Sequence, residues 1–225
     1  MRIWVTRSEP GATTLADALA TQGHSVLKAP VIAIRGLEFI LPAQRFELGV
    51  FLSVHGVQHG GASLVGLVDQ AFAIGIQTQR ALERLGVASR TPSQADSEGL
   101  VNALGDVADR TVLIVSGRGG RDALQSELAS RGAAVERLDV YERAPLTPAG
   151  LVTGSIDAIV VSSGDGFEYA VQVWFAAGGS MDVPVLVPSS RVAAFAPKLG
   201  MRNVHDCRGA DSDAVLEGLR QLAEE

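Results

Sequence analysis

Hydroxyl, glycine and arginine residues gather in short turns, each following an apolar run and preceding a helical pattern. The turns are Thr6-Arg7-Ser8, Ser53-Val54-His55-Gly56, Gly75-Ile76-Gln77-Thr78, Ser116-Gly117-Arg118-Gly119-Gly120-Arg121, Ser162-Ser163-Gly164-Asp165-Gly166 and Pro188-Ser189-Ser190. Backbone N–H groups at helix starts, with the helix dipole behind them, bind carboxylates or phosphates. Arg7, Arg118 and Arg121 add charge-assisted donors of about 1.5–3 kcal/mol each where water is excluded. The chemistry on offer is a set of many weak anion seats. A plainer role fits each residue singly: Ser and Asp cap helices, and Gly serves backbone geometry. Asp165, Asp211 and Glu98 read as caps or solvated groups rather than catalytic ones. One side chain stands apart. Tyr141 lies in the extended stretch Asp139-Val140-Tyr141-Glu142-Arg143, able to project a phenol into a cleft.

Other chemistries fail on spacing. His55 and His59 stand four apart, as metal ligands do on a helix, but no third ligand accompanies them, so no metal site is expected. The run 117–121 is neither a Walker loop nor a dinucleotide fingerprint. No Gly-x-Ser-x-Gly elbow surrounds Ser53 or Ser163. Trp4 and Trp174 read as core, and Cys207 as an inert thiol.

The elements that must hold these turns are written twice. Leu15, Leu19, Gly23 and Val26 match Leu124, Leu128, Gly132 and Val135 at an offset of 109. Ser53 and Gly56 match Ser163 and Gly166, and Ala95-Asp96-Ser97-Glu98 matches Ala210-Asp211-Ser212-Asp213. Apolar runs at 2–6, 25–28, 49–52, 71–74, 111–115, 134–137, 157–161, 184–187 and 203–205 alternate with amphipathic stretches such as 11–22, 121–131 and 212–223. Such alternation predicts α/β architecture: two similar doubly wound parallel-sheet domains. Pro-punctuated joints at 29–42 and 144–148 place an outer domain at 1–30 plus 146–225 and a middle domain at 38–140. Residues 31–37 and 138–145 become crossover linkers, expected to pair as a two-stranded hinge. A ligand is expected in the cleft between the domains, beyond the carboxyl ends of the strands.

Composition narrows the class. The 225 residues carry a net charge of −6 with no basic block, which argues against a nucleic-acid partner. A single cysteine excludes an internal disulfide and suits a reducing, cytoplasmic setting. No apolar run approaches a membrane span or a signal peptide, and nothing suggests an obligate interface, so a monomer is expected.

The ordered motifs resemble the uroporphyrinogen-III synthase family over nearly the whole chain. The resemblance rests on Val5-Thr6-Arg7 with Gly23 and Pro30, then Ala73-Ile74-Gly75 with Thr78 and Leu85-Gly86, then Ser97-Glu98-Gly99-Leu100. It continues through Gly119-Gly120-Arg121, Leu124, Leu128, Gly132 and Val140-Tyr141, and ends on Ser162-Ser163-Gly164-Asp165-Gly166. It implies a cyclising lyase of tetrapyrrole (haem) biosynthesis, acting on hydroxymethylbilane without metal or organic cofactor. The substrate's eight carboxylates would suit distributed anion seats. Tyr141 matches the family tyrosine proposed to assist departure of the hydroxyl. Thr6, Arg7, Ser53, Gly75, Thr78, Ser116, Arg118, Arg121, Ser162, Ser163, Gly164, Ser189 and Ser190 are the implied substrate contacts.

Two positions depart from that pattern. The first Thr-Ser turn reads Leu52-Ser53, and Val192 stands where the second Ile-Gly-x-x-Thr block would place its Thr. The rival reading is a non-catalytic two-lobed module that binds or senses small anions.

Overall fold

The structure is a computed structural model and describes residues 1–94, 96–120, 122–151 and 153–224. In chain order the strands and helices begin with β1 (Arg2–Val5), α1 (Gly11–Thr21), β2 (Ser25–Lys28), β3 (Ile32–Gly36) and β4 (Phe46–Phe51). A broken helical segment follows: α2 (Val54–Gly56), a π-helical turn (Val57–Gly61) and α3 (Ala62–Leu64). Next come β5 (Val68–Ala73), α4 (Ile76–Glu83), β6 (Ser89–Arg90), α5 (Ser97–Leu104), β7 (Thr111–Gly117), α6 (Ala123–Ser130) and β8 (Ala134–Pro145). The chain closes with β9 (Ala158–Val160), α7 (Gly164–Ala176), β10 (Val185–Val187), α8 (Ser190–Ala193), α9 (Ala196–Leu199), β11 (Val204–Asp206) and α10 (Ser212–Glu224).

Two compact units result: Met1–Ala33 with Ala144–Glu225, and Ile34–Arg143. The first holds a five-stranded sheet in the order β11-β10-β9-β1-β2, and its pairs run parallel. Ile3, Val5, Leu15, Leu19, Val160, Leu186, Val215 and Leu219 pack on one face. Trp4 and Trp174 are buried with ring centroids 6.2 Å apart. Each satisfies its indole N–H on a backbone carbonyl, Trp4 on Ala29 at 2.7 Å and Trp174 on Ser180 at 2.8 Å. Both are core residues, as their size and single donor favour.

The second unit is built on a six-stranded sheet in the order β3-β8-β7-β4-β5-β6. Along β7, Val112 and Ile114 enter one apolar cluster while Leu113 and Val115 enter another, so both faces are covered. The two crossover segments pair with each other, as expected. Leu37 N donates to Val140 O and Leu146 N to Val31 O, which pairs β3 and β8 antiparallel. β8 also runs parallel to β7 from Thr111↔Ala134 to Gly117↔Tyr141, so its first part belongs to the six-stranded sheet and the part from Val140 on pairs with β3.

β8 carries an extra residue where it passes the end of β7. Ser116 is paired with Asp139, but Gly117 with Tyr141. This bulge turns both Val140 and Tyr141 into one apolar cluster, where strict alternation would send them to opposite faces.

Candidate functional site

In an open α/β sheet, ligands gather beyond the carboxyl ends of the strands where the strand order reverses. In the Ile34–Arg143 unit that point lies between β4 and β7. β4 runs into Leu52-Ser53, and β7 ends on Ser116-Gly117, followed by Arg118. Tyr141 sits directly beside them, with 2 % of its surface exposed. It is therefore a packed residue and not a side chain projecting freely from a crossover, as its place in an extended segment suggests.

Gly117, two histidines and an arginine pack against the phenol ring. Gly117 faces the ring so closely that a Cβ there would lie 2.5 Å from Tyr141 Cζ. His55 meets the ring edge-on at 5.6 Å between centroids, and His59 stacks on it at 6.2 Å. The guanidinium carbon of Arg143 lies 5.6 Å from the ring centroid. Tyr141 and Arg143 are two apart on one strand, so they share a face.

The hydroxyl is equally constrained. Ser53 Oγ accepts from Gly56 N at 2.9 Å and donates to Tyr141 Oη at 3.0 Å. Arg143 Nη2 donates to the same oxygen at 3.4 Å. An oxygen that already accepts twice keeps its own proton for a third partner. Donors arranged this way polarise the O–H and strengthen it as a donor. Burial is the main cause holding His55 below the ordinary histidine range, and Arg143 and His59 push the same way against Gln58. At neutral pH His55 is thus an uncharged neighbour of the phenol.

Other expected residues of this unit lie close by in the fold. Arg118 N donates to Tyr141 O at 2.8 Å, while its exposed side chain pairs with Glu142 at 3.0 Å. Ser116 is buried and its Oγ is committed, donating to Asp139 at 2.7 Å and accepting from Arg137 at 2.9 Å. Gly75 and Thr78 follow β5, the strand beside β4. Arg121 lies outside the described residues.

The other unit repeats the arrangement at its own reversal point, between β1 and β9. β1 leads into Thr6-Arg7, and the residues after β9 include Ser162, Ser163 and Gly164. Ser163 Oγ accepts from Gly166 N at 3.1 Å, the same cap that Ser53 makes. Thr6 is buried with its hydroxyl on Val160 O at 2.9 Å, so it offers a ligand no free side chain. Arg7 Nη1 donates to Ala210 O at 2.9 Å. Burial lowers its pKa, so its charge is poorly hydrated while still held. Ser189 caps α8 by backbone geometry alone, and Ser190 opens that helix.

A family model described as "Uroporphyrinogen-III synthase HemD" matches residues 13–217. The chain belongs to the uroporphyrinogen-III synthase family. Curated synthases from Salmonella typhimurium and Escherichia coli are 29 % and 28 % identical to it, each over 98 % of this chain and all of their own length. Among solved structures, the Helicobacter pylori synthetase aligns with a TM-score of 0.66 at 12 % identity over 98 % of both chains. A mutant synthase from Thermus thermophilus aligns with 0.60 at 19 % over the full length of both. These likenesses support the two-unit α/β fold. Uroporphyrinogen-III synthases are cyclising lyases of tetrapyrrole synthesis.

Viewed as a synthase of this family, the chain holds site neighbours that spacing alone did not reveal. His55 and His59 are the clearest. Their separation of four gave no metal site, and it did not announce that both rings pack on Tyr141 across the π-helical turn. Among the described residues no group of three His, Cys, Asp or Glu is placed to hold a metal ion. Arg143 carried a readable signal, being two residues from Tyr141 on an extended strand. Val192, the departure from the family pattern, is 1 % exposed, and its counterpart Thr78 is 4 % exposed. Both positions point into the protein.

Proposed function

We propose that this chain cyclises hydroxymethylbilane to uroporphyrinogen III with loss of water, and that Tyr141 supplies the proton for the departing hydroxyl. The observation that carries the role of Tyr141 is the double donation into its oxygen by Ser53 and Arg143, which leaves the phenolic proton for a ligand.

The chemistry asks little of an acid and much of geometry. The pyrrole nitrogen pushes electrons toward the terminal hydroxymethyl carbon, and the C–O bond breaks. The Tyr141 proton moves to the leaving oxygen, water departs, and a phenolate beside Arg143 remains. The cationic carbon then bonds to the substituted α-position of the last ring, giving a spiro intermediate. The old bridge bond to that position breaks, and the ring recloses at its free α-carbon. That carbon loses one proton, which restores the Tyr141 hydroxyl, so the net change is loss of one water. General acid help of this kind contributes about 10²–10⁴-fold. Holding a flexible chain in the productive pose supplies the larger part.

We assign the carboxylate-binding role to Arg7, Arg118 and Arg121, to the strand-end turns at Gly75, Ser162, Ser163, Gly164, Ser189 and Ser190, and to the backbone at Thr6, Thr78 and Ser116. Arg7, whose side chain among the described residues donates to a carbonyl rather than a carboxylate, is the best placed for an added anion. The ligand is a small tetrapyrrole, the working form a monomer, and the compartment the cytoplasm, where the single cysteine stays reduced. No helix among the described residues is long and apolar enough to cross a membrane.

The deciding experiment is a product assay. Freshly made hydroxymethylbilane is supplied, the products are oxidised, and the ring isomers are separated. Isomer III above the spontaneous isomer I background is the expected result. Isomer I alone would leave a binding module that holds its ligand unchanged. Tyr141→Phe is expected to lower turnover at least ten-fold, and a change of less than a few-fold would remove the proton-donor role.

A further inference from the structure

Arg137 lies four residues before Tyr141 on β8, and its guanidinium gathers the surroundings of the phenol. Its side chain is 12 % exposed. Nε donates to Ser116 Oγ at 2.9 Å and to Asp139 Oδ1 at 3.0 Å. Nη1 donates to Asp122 Oδ1 at 2.6 Å and reaches Gly120 O at 3.4 Å. Nη2 reaches Gly117 O at 3.3 Å and Gly120 O at 3.4 Å. A planar fork of five N–H donors is the one side chain able to hold so many acceptors in a fixed frame.

Two of the groups it holds, Gly117 and Asp139, border Tyr141. Gly117 forms the wall against the phenol ring, and Arg118 N bonds the Tyr141 carbonyl. Asp139 precedes Tyr141 in the bulge. Release of this frame would let the Gly117–Gly120 turn move away from the ring and free the phenol to tilt. Asp122 is largely exposed while Arg137 is not, so the pair is an anchor at the rim of the turn rather than a solvated surface pair.

We infer that Arg137 is a positioning residue that sets where the Tyr141 hydroxyl points. The inference rests on Tyr141 being the proton donor proposed above, and its test separates the two.

The test is a double-mutant cycle on the full chain, with isomer III turnover and thermal melting measured for each protein. Arg137→Lys keeps the charge but loses the fork. It is expected to lower kcat about ten-fold while KM changes less than three-fold. In a Tyr141→Phe background the same substitution is expected to cost less than two-fold, because the group it positions is already gone. Asp122→Asn loosens only the rim contact and keeps the measurement available if Arg137→Lys fails to fold. It is expected to show a smaller kcat loss, about three-fold, with the same dependence on Tyr141. Equal losses in both backgrounds, or a loss confined to melting temperature, would overturn the inference. An unchanged kcat for Tyr141→Phe itself would instead overturn the proton-donor reading and this inference with it.

Discussion

Gly117 and Tyr141 face each other across the bulge between β7 and β8, and the ring occupies the space that a side chain at 117 would need. A Cβ at that position falls 2.5 Å from Cζ and 2.7 Å from Cε2. Since the neighbour is a whole aromatic ring held by Ser53, His55 and His59, it has no free end to swing aside. Gly117→Ala should therefore displace the ring at a stability cost of about 1–3 kcal/mol. A shift of the hydroxyl by about 1 Å is enough to cost on the order of 10²-fold in rate. Steady-state turnover with a melting curve checks this. Wild-type turnover from a folded Gly117→Ala protein would show that the ring has slack.

Ser53 and Ser163 make the same cap, so they form a matched pair for separating stability from catalysis. Ser53 Oγ accepts from Gly56 N at 2.9 Å, and Ser163 Oγ from Gly166 N at 3.1 Å. Losing either cap should cost about 1 kcal/mol. Only Ser53 also donates to Tyr141. Ser53→Ala should thus lower kcat several-fold beyond anything its melting temperature explains, and Ser53→Thr should restore much of it. Denaturant unfolding of both alanine variants, beside the kcat of Ser53→Ala and Ser53→Thr, makes the comparison. If Ser53→Ala loses stability like Ser163→Ala but keeps its kcat, Ser53 is a cap and nothing more.

Acid should weaken the fold through its histidines. Burial first, then Arg143 and His59, hold His55 below the ordinary value, and burial followed by the N-terminal amine does the same for His24. Both rings have a folded pKa below the unfolded one. Above roughly pH 6.5, the unperturbed value, both states are neutral and nothing is lost. As pH falls through that value the unfolded chain takes up protons first, so stability declines until the folded pKa is passed. Melting temperature should drop as pH falls below about 6.5, and His55→Gln should make that drop shallower. A His55→Gln curve parallel to the wild type would show that His55 contributes nothing to it.

How far the sequence could be read depended on burial. Parallel strands covered on both faces appear as continuous apolar runs, which is why β1, β5 and β10 were visible in the residue order. β6, Ser89–Arg90, is two polar-leaning residues long and has no such run. β8 was only partly visible, because Glu136, Arg137, Asp139, Glu142 and Arg143 break its pattern, and it is the sheet neighbour β7 that holds it straight. Tyr141 could be singled out by type, and its setting could not. The bulge that aims it depends on pairing with a strand some twenty residues earlier. The His55 and His59 contacts depend on a π-helical turn, which local composition does not announce.

Val192 turns the departure from the family pattern into a measurable question. A threonine at this position would present its hydroxyl where Val192 is 1 % exposed, on α8 after the carboxyl end of β10. The matching Thr78 is equally enclosed on α4. A hydroxyl in such a place reaches backbone or core rather than a tetrapyrrole carboxylate, so replacing it by a methyl removes no ligand contact. The reverse change brings a polar group into an apolar setting, at a cost of about 1–3 kcal/mol if it finds no partner. Val192→Thr should therefore lower the melting temperature by several degrees while kcat and KM stay within about two-fold. A KM that falls five-fold or more would place the residue in contact with substrate, and the missing threonine would then be a true loss of binding.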